Sequence, residues 1–115
     1  MSTIITSKPP VYSISGRTLS ISTQFGQKVN FSDINNIQLK DSLPGNLNKT
    51  DGLGIGTVLK GKFSSDIGNI SVYVNTAIPQ FIYIGTTSGL IIVNDQSVAK
   101  TQALYNELNT DINNK

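Results

Sequence analysis

The residues 51–63, Asp-Gly-Leu-Gly-Ile-Gly-Thr-Val-Leu-Lys-Gly-Lys-Phe, carry the spacing of a nucleotide-binding loop. Gly56 to Lys62 reads G-x-x-x-x-G-K, in which backbone N–H groups cradle phosphates and the lysine reaches the terminal one. The next residue should be Ser or Thr, whose hydroxyl holds Mg²⁺, and it is Phe63. The setting also differs from that of a phosphate loop. Ile55, Thr57, Leu59, Gly61 and Phe63 fall on every second position, the period of a strand and not of a strand-to-helix turn. The glycines therefore belong to a strand that bends or lies close to another backbone.

The remaining chemistry-bearing residues are few. The chain has no Cys and no His, so it has no thiolate and lacks the commonest general base and metal ligand. Arg17, the only arginine, can clamp a phosphate or carboxylate through two N–H groups. Lys60 and Lys62 share one strand face, and Lys49 lies in a loop nearby, so these four cations are the candidate anion-binding residues. Lysines on a strand also guard against edge pairing, and a turn arginine is often only solvated. Asp33, Asp41, Asp51 and Asp66 lie in turns, where aspartate usually bonds its own backbone. Asp41 and Asp51 flank one loop, but Asp-x-Asn-x-Asn spacing is absent, so no metal is assigned. No cofactor is expected, and no activating base stands near Tyr73, Tyr83 or the hydroxyls. The reading is a non-enzymatic protein.

Composition sets the frame for these residues. In 115 residues only 14% are charged, and the net charge is +2 with no basic run, which argues against a nucleic-acid partner. Residues 67–94 contain no charge, but Asn, Thr, Ser, Gly and Pro interrupt them, so they read as paired strands and not as a membrane span. Residues 1–5 lack the basic start and apolar core of a signal peptide, and the expected location is cytoplasmic.

Residues 1–10 read as an N-terminal arm and 11–115 as a single domain. Period-2 patterns mark strands at about 11–15, 18–25, 28–32, 36–40, 53–64, 69–75, 81–86 and 90–94. Ser32 is placed as the cap of a short helical turn. Residues 41–52 are the longest loop, long enough to suggest a function. From Asp95 the apolar spacing becomes three, four and seven, which predicts a helix over about 96–112 capped by Asn94 or Asp95. Val98, Leu104 or Tyr105, and Leu108 should be its buried face. Short strands at this spacing followed by one amphipathic helix predict a mainly β sandwich or barrel plugged by the helix.

This order of elements resembles the pleckstrin-homology fold, and its local detail resembles a bacterial family of pleckstrin-homology-like domains of unknown function. The motifs are Gly52-x-Gly54…Gly61-x-Phe63, Val72-Tyr-Val74, Thr76…Pro79, the hairpin 83–93 and the Asn94-Asp95 helix opening. The resemblance implies a barrel of about seven antiparallel strands in two orthogonal sheets, capped by one C-terminal helix. It implies no activity. Inositol-lipid-binding members of the wider superfamily carry a basic signature across the first hairpin. Here that hairpin holds only Arg17, so specific phosphoinositide binding is not expected, while peripheral membrane contact stays open.

The hairpin 81–93 departs from simple alternation. Phe81 to Ile84 and Leu90 to Val93 are apolar on both faces. The second face needs a cover, either the terminal helix and arm or a partner protein or second copy of the chain. Tyr73, Phe81, Tyr83, Ile91 and Val93 are the candidate interface residues on the second of these readings.

Overall fold

The computed structural model describes residues 11–22, 26–55 and 57–113. Within them the chain forms β1 (Val11–Ser15), β2 (Thr18–Ser22), β3 (Lys28–Asn30), a 3-10 turn (Phe31–Asp33), β4 (Ile34–Lys40) and β5 (Asn48–Ile55). There follow β6 (Val58–Ser65), β7 (Gly68–Asn75), β8 (Phe81–Thr86), β9 (Gly89–Val93) and the helix α1 (Val98–Asn113). The expected arm 1–10 and the end of the second strand, 23–25, lie outside the described residues.

The strands make two sheets, one of three strands in the order β1-β2-β3 and one of six in the order β4-β8-β9-β7-β6-β5. The mainly β architecture with two sheets and a terminal helix is as the periodicity predicts. The finer expectation of about seven antiparallel strands closed into a barrel is not what the sheets form. There are nine strands among the described residues, the larger sheet is open, and β7 and β9 run parallel, with Val72 opposite Ile92 and Tyr73 opposite Val93. The parallel pair arises because the β8–β9 hairpin turns back and places β9 between β8 and β7.

That insertion explains the uninterrupted apolar runs. A strand buried on both faces reads as continuous hydrophobic sequence. On one face of the large sheet Ile82, Ile84, Ile91, Val93 and Tyr73 join Leu19, Ile21, Val29 and Phe31 of the small sheet and its following turn, and Leu104 and Leu108 of α1. On the other face Phe63, Ile70, Val72, Val74, Phe81, Tyr83 and Ile92 form a second cluster. Leu43 and Leu47, from the segment joining β4 to β5, pack on it.

The expected long loop 41–52 is thus shorter, because β5 begins at Asn48, and it serves as cover. It is tied down on both sides. Near β8, the Tyr83 hydroxyl donates to the Ser42 carbonyl (2.6 Å) and Gln80 Nε2 donates to the Asp41 carboxylate (2.6 Å). At the β6–β7 turn, Asn46 Nδ2 donates to the Asp66 carboxylate (2.6 Å), and the Asp66 N–H donates to the Gly45 carbonyl (3.0 Å).

The helix starts two residues later than the spacing suggests. Ser97, and not Asn94 or Asp95, caps it: Ser97 Oγ accepts from the Lys100 N–H at 3.0 Å. Thr101 is fully buried, and its hydroxyl accepts from the Asp95 N–H (2.9 Å) and donates to the Ser97 carbonyl (2.8 Å). Leu104 and Leu108 are buried as expected, while Val98 and Tyr105 are half-buried. The 3-10 turn Phe31–Asp33 follows Asn30, and no side chain caps it, so Ser32 does not play the expected role.

Asn94 was expected at the helix opening and is instead a buried clamp. Its Oδ1 accepts from the Asn75 N–H (2.8 Å), and its Nδ2 donates to the carbonyls of Asn75 (2.9 Å) and Ile78 (3.2 Å). Its own carbonyl accepts from the Tyr12 hydroxyl at 2.7 Å, which also lies 3.1 Å from the Tyr73 carbonyl. Tyr12 therefore ties the small sheet to the large one.

Burial, and next the Asp95 carboxylate, hold the Tyr12 phenol well above its ordinary range. A phenol with a raised folded pKa contributes stability that is full below its unfolded value of about 10 and is lost as pH rises past it. Burial raises Tyr73 and Tyr83 in the same direction. Tyr12→Phe should lower stability by about 1–2 kcal/mol at neutral pH through the lost hydrogen bond. It should also lose less than the wild type on going from neutral pH to above about pH 10. Urea midpoints along that pH series check both, and parallel alkaline limbs would refute the linkage.

Candidate functional site

The cross-strand register decides which candidate residues meet. On the face of the large sheet that carries the small sheet, Lys62 of β6 stands beside Ser71 of β7, and Ser71 beside Ile91 of β9. The next row along the same face is Lys60, Tyr73 and Val93. The apolar end of each row lies under the small sheet and helix, and the polar end extends toward β5.

A cleft of about 330 Å³ opens over the Lys62 row. Its polar lining includes Lys62, Asn69, Ser71, Ser88, Thr50 and Gln27. Gln27 is held by its own bond, Nε2 donating to the Tyr73 hydroxyl at 3.0 Å, and the Ile21 N–H donates to the Gln27 carbonyl at 2.9 Å. The β8–β9 tip is fixed by Thr86, whose hydroxyl donates to the Gly89 carbonyl (2.7 Å) and accepts from the Ser88 N–H (3.1 Å).

The four predicted cations do not form one patch. Lys62 is exposed and lines the cleft. Lys60 shares its face, as the period-2 spacing predicts, but it is only 2% exposed, and burial lowers its ammonium pKa. Lys49 stands opposite Phe63, in the alternate register to Lys62, and so faces the other side of the sheet. Arg17, in the β1–β2 turn, lies over the Phe31 ring with its guanidinium carbon 5.6 Å from the centroid.

The five predicted interface residues are all in the core. Tyr73 and Phe81 are buried, as are Tyr83, Ile91 and Val93, and they divide between the two clusters. An exposed apolar hairpin is therefore not what the chain offers. The small sheet and helix cover one face, and the loop 41–47 covers the other. Lys40 completes the second cover, its Nζ 4.7 Å from the centre of the Tyr83 ring.

The described part of the phosphate-loop spacing lies on a β-hairpin, Gly56 itself being outside the described residues. Residues 58–62 belong to β6, antiparallel to both β5 and β7. Gly61 is buried at φ 110°, a conformation side chains disfavour, with Gly52 opposite it. A β-carbon on Gly52 would collide with the Lys60 carbonyl oxygen. The glycines thus let two strands approach. Gly61→Val should destabilise the fold by roughly 1–3 kcal/mol, measured as a shift in denaturation midpoint. A variant with unchanged stability that lost binding to a nucleotide would reinstate the phosphate-loop reading.

No group of three His, Cys, Asp or Glu side chains placed to hold a metal occurs among the described residues. The Asp41 carboxylate is engaged by Gln80, and the side chain of Asp51 lies outside the described residues. No helix among the described residues is long and apolar enough to cross a membrane. Sequence reasoning found Lys62 through its charge and missed Asn69, Ser71, Ser88, Thr50 and Gln27. Neutral polar residues are abundant in this chain, and only the strand register singles these out.

Compared with known proteins, the chain matches no family model, no curated protein and no solved structure.

Proposed function

We propose that this chain is a non-enzymatic binding module and that the cleft beside Lys62 is its ligand site, selective for a small anion. The observation that carries this reading is a single exposed lysine in a concave lining that is otherwise neutral and mostly polar, with Ile70, Leu90 and Ile91 as its apolar part. Concave sites with a few converging polar groups are where small ligands bind. The carboxylates of Asp66 and Asp41 have structural duties, to Asn46 and Gln80, and Asp51 stands opposite Lys62 in the strand register. Docking of a partner protein or a second copy on the 81–93 hairpin loses its support, because Phe81, Tyr83, Ile91 and Val93 are buried within the chain. The pleckstrin-homology-like kinship rests on the order of its sequence motifs. The parallel β7–β9 pair departs from the all-antiparallel arrangement which that kinship implies.

Titration of the labelled chain with acetate, inorganic phosphate and glucuronate, followed by amide chemical shifts, tests the reading. At least one anion should move residues 69–71 and 88–89, and Lys62→Gln should weaken it about tenfold, as expected for loss of one charged hydrogen bond. No response at these amides with any of the three anions would overturn it.

A further inference from the structure

We infer that the ligand of this cleft is a small polyol ring bearing one negative charge, an acidic monosaccharide such as a uronic acid, free or at the end of a saccharide chain. The inference rests on the reading of the cleft as an anion site and adds the rest of the ligand. Size is the first constraint. About 330 Å³ is near the lower end of ligand sites, which run from about 300 to 1,000 Å³. A single ring matches a cleft of this size, with any further chain lying outside it.

Charge is the second constraint. Lys62 is the one charged side chain among the described lining residues, with Asp51 its cross-strand neighbour on β5. It can match a single carboxylate. A polyphosphate would bring charges into the cleft with no counterpart, which is unfavourable away from bulk water.

The neutral lining supplies the third. Asn69, Ser71, Ser88 and Thr50 each both donate and accept hydrogen bonds, which is what a ring of hydroxyls needs. A plain acetate or phosphate ion would use Lys62 and leave most of these groups to water. An apolar ligand would strand them all. The row geometry places the parts in order. Lys62 meets the carboxylate, Ser71 on the next strand meets an adjacent hydroxyl, and Ile91 on the third offers apolar surface to the C–H edge of the ring. All three stand on paired strands, so the site is pre-organised.

The test is calorimetric titration of the full chain with glucuronate, glucose, acetate and inorganic phosphate. Glucuronate should bind at least about tenfold more tightly than glucose, acetate or phosphate, and Lys62→Gln should bring it to the level of glucose. Ser71→Val, with an unchanged circular dichroism spectrum, should weaken glucuronate and leave acetate unchanged. The methyl glycoside of glucuronate should bind as well as the free acid if the ligand is a chain end, and worse if it is a free sugar. Acetate or phosphate binding as tightly as glucuronate would overturn the inference while leaving the anion site standing. Absence of binding by all four would overturn both.

Discussion

Leu108→Ala is expected to destabilise the protein by about 2–5 kcal/mol. Leu108 is fully buried and sits in the cluster shared by α1, the small sheet and the β8–β9 hairpin. Its truncation removes buried apolar surface and leaves a cavity between elements that strand pairing holds in place, so the site cannot readily collapse. For a chain of this length the melting temperature should fall by roughly 4 °C per kcal/mol. A melting curve within about 2 °C of the wild type would mean that the helix is not part of the cooperative core.

Asn94→Leu should come close to the same size through different physics, at about 2–4 kcal/mol. The substitution keeps roughly the volume and adds apolar surface, so a hydrophobic account alone predicts a neutral or stabilising change. Asn94, however, is 2% exposed and satisfies the N–H and C=O of Asn75 and the C=O of Ile78. Buried backbone groups left unpaired cost about 1–3 kcal/mol each, reduced here because Asn75 is half-buried. Asn94→Asp separates the terms. It keeps the acceptor for the Asn75 N–H but sets a carboxylate against two carbonyls, which raises its folded pKa. Its stability should therefore recover as pH falls through that value, while Asn94→Leu stays flat. A stable Asn94→Leu variant would show that water replaces the clamp.

The two periodicities in the chain made most elements legible. Alternation at Leu19 and Ile21, and at Val29 and Phe31, gave the strands and their inward faces. The three-four spacing through Leu104 and Leu108 gave the helix. Alternation says which face a residue occupies and nothing about which strand lies beside it. The placing of β9 between β8 and β7 therefore could not be read, and the apolar runs it explains were open to a partner-surface reading. Asn94 illustrates a second limit. An asparagine at the start of a helical pattern is a good cap, and only the tertiary position of Asn75 makes it a backbone clamp instead. The cleft was half legible: Lys62 stands out by charge, whereas Ser71 and Asn69 acquire meaning only from their register beside it.

The insertion of β9 between β7 and β8 bears on how the protein is made and how it fails. The uncharged stretch 67–94 supplies three adjacent inner strands of the large sheet, flanked by β4 and β6 with their lysines. Until β7, β8 and β9 are all paired, Phe81-Ile-Tyr-Ile and Leu90-Ile-Ile-Val present β-prone, chargeless segments of the kind that stack into fibrils. The helix that covers one of their faces follows them in the chain, so these segments emerge before their cover. Aggregation then competes with refolding whenever the sheet opens. Heat inactivation of this protein should accordingly be governed by the rate of opening, with an apparent midpoint that rises with scan rate and falls with protein concentration.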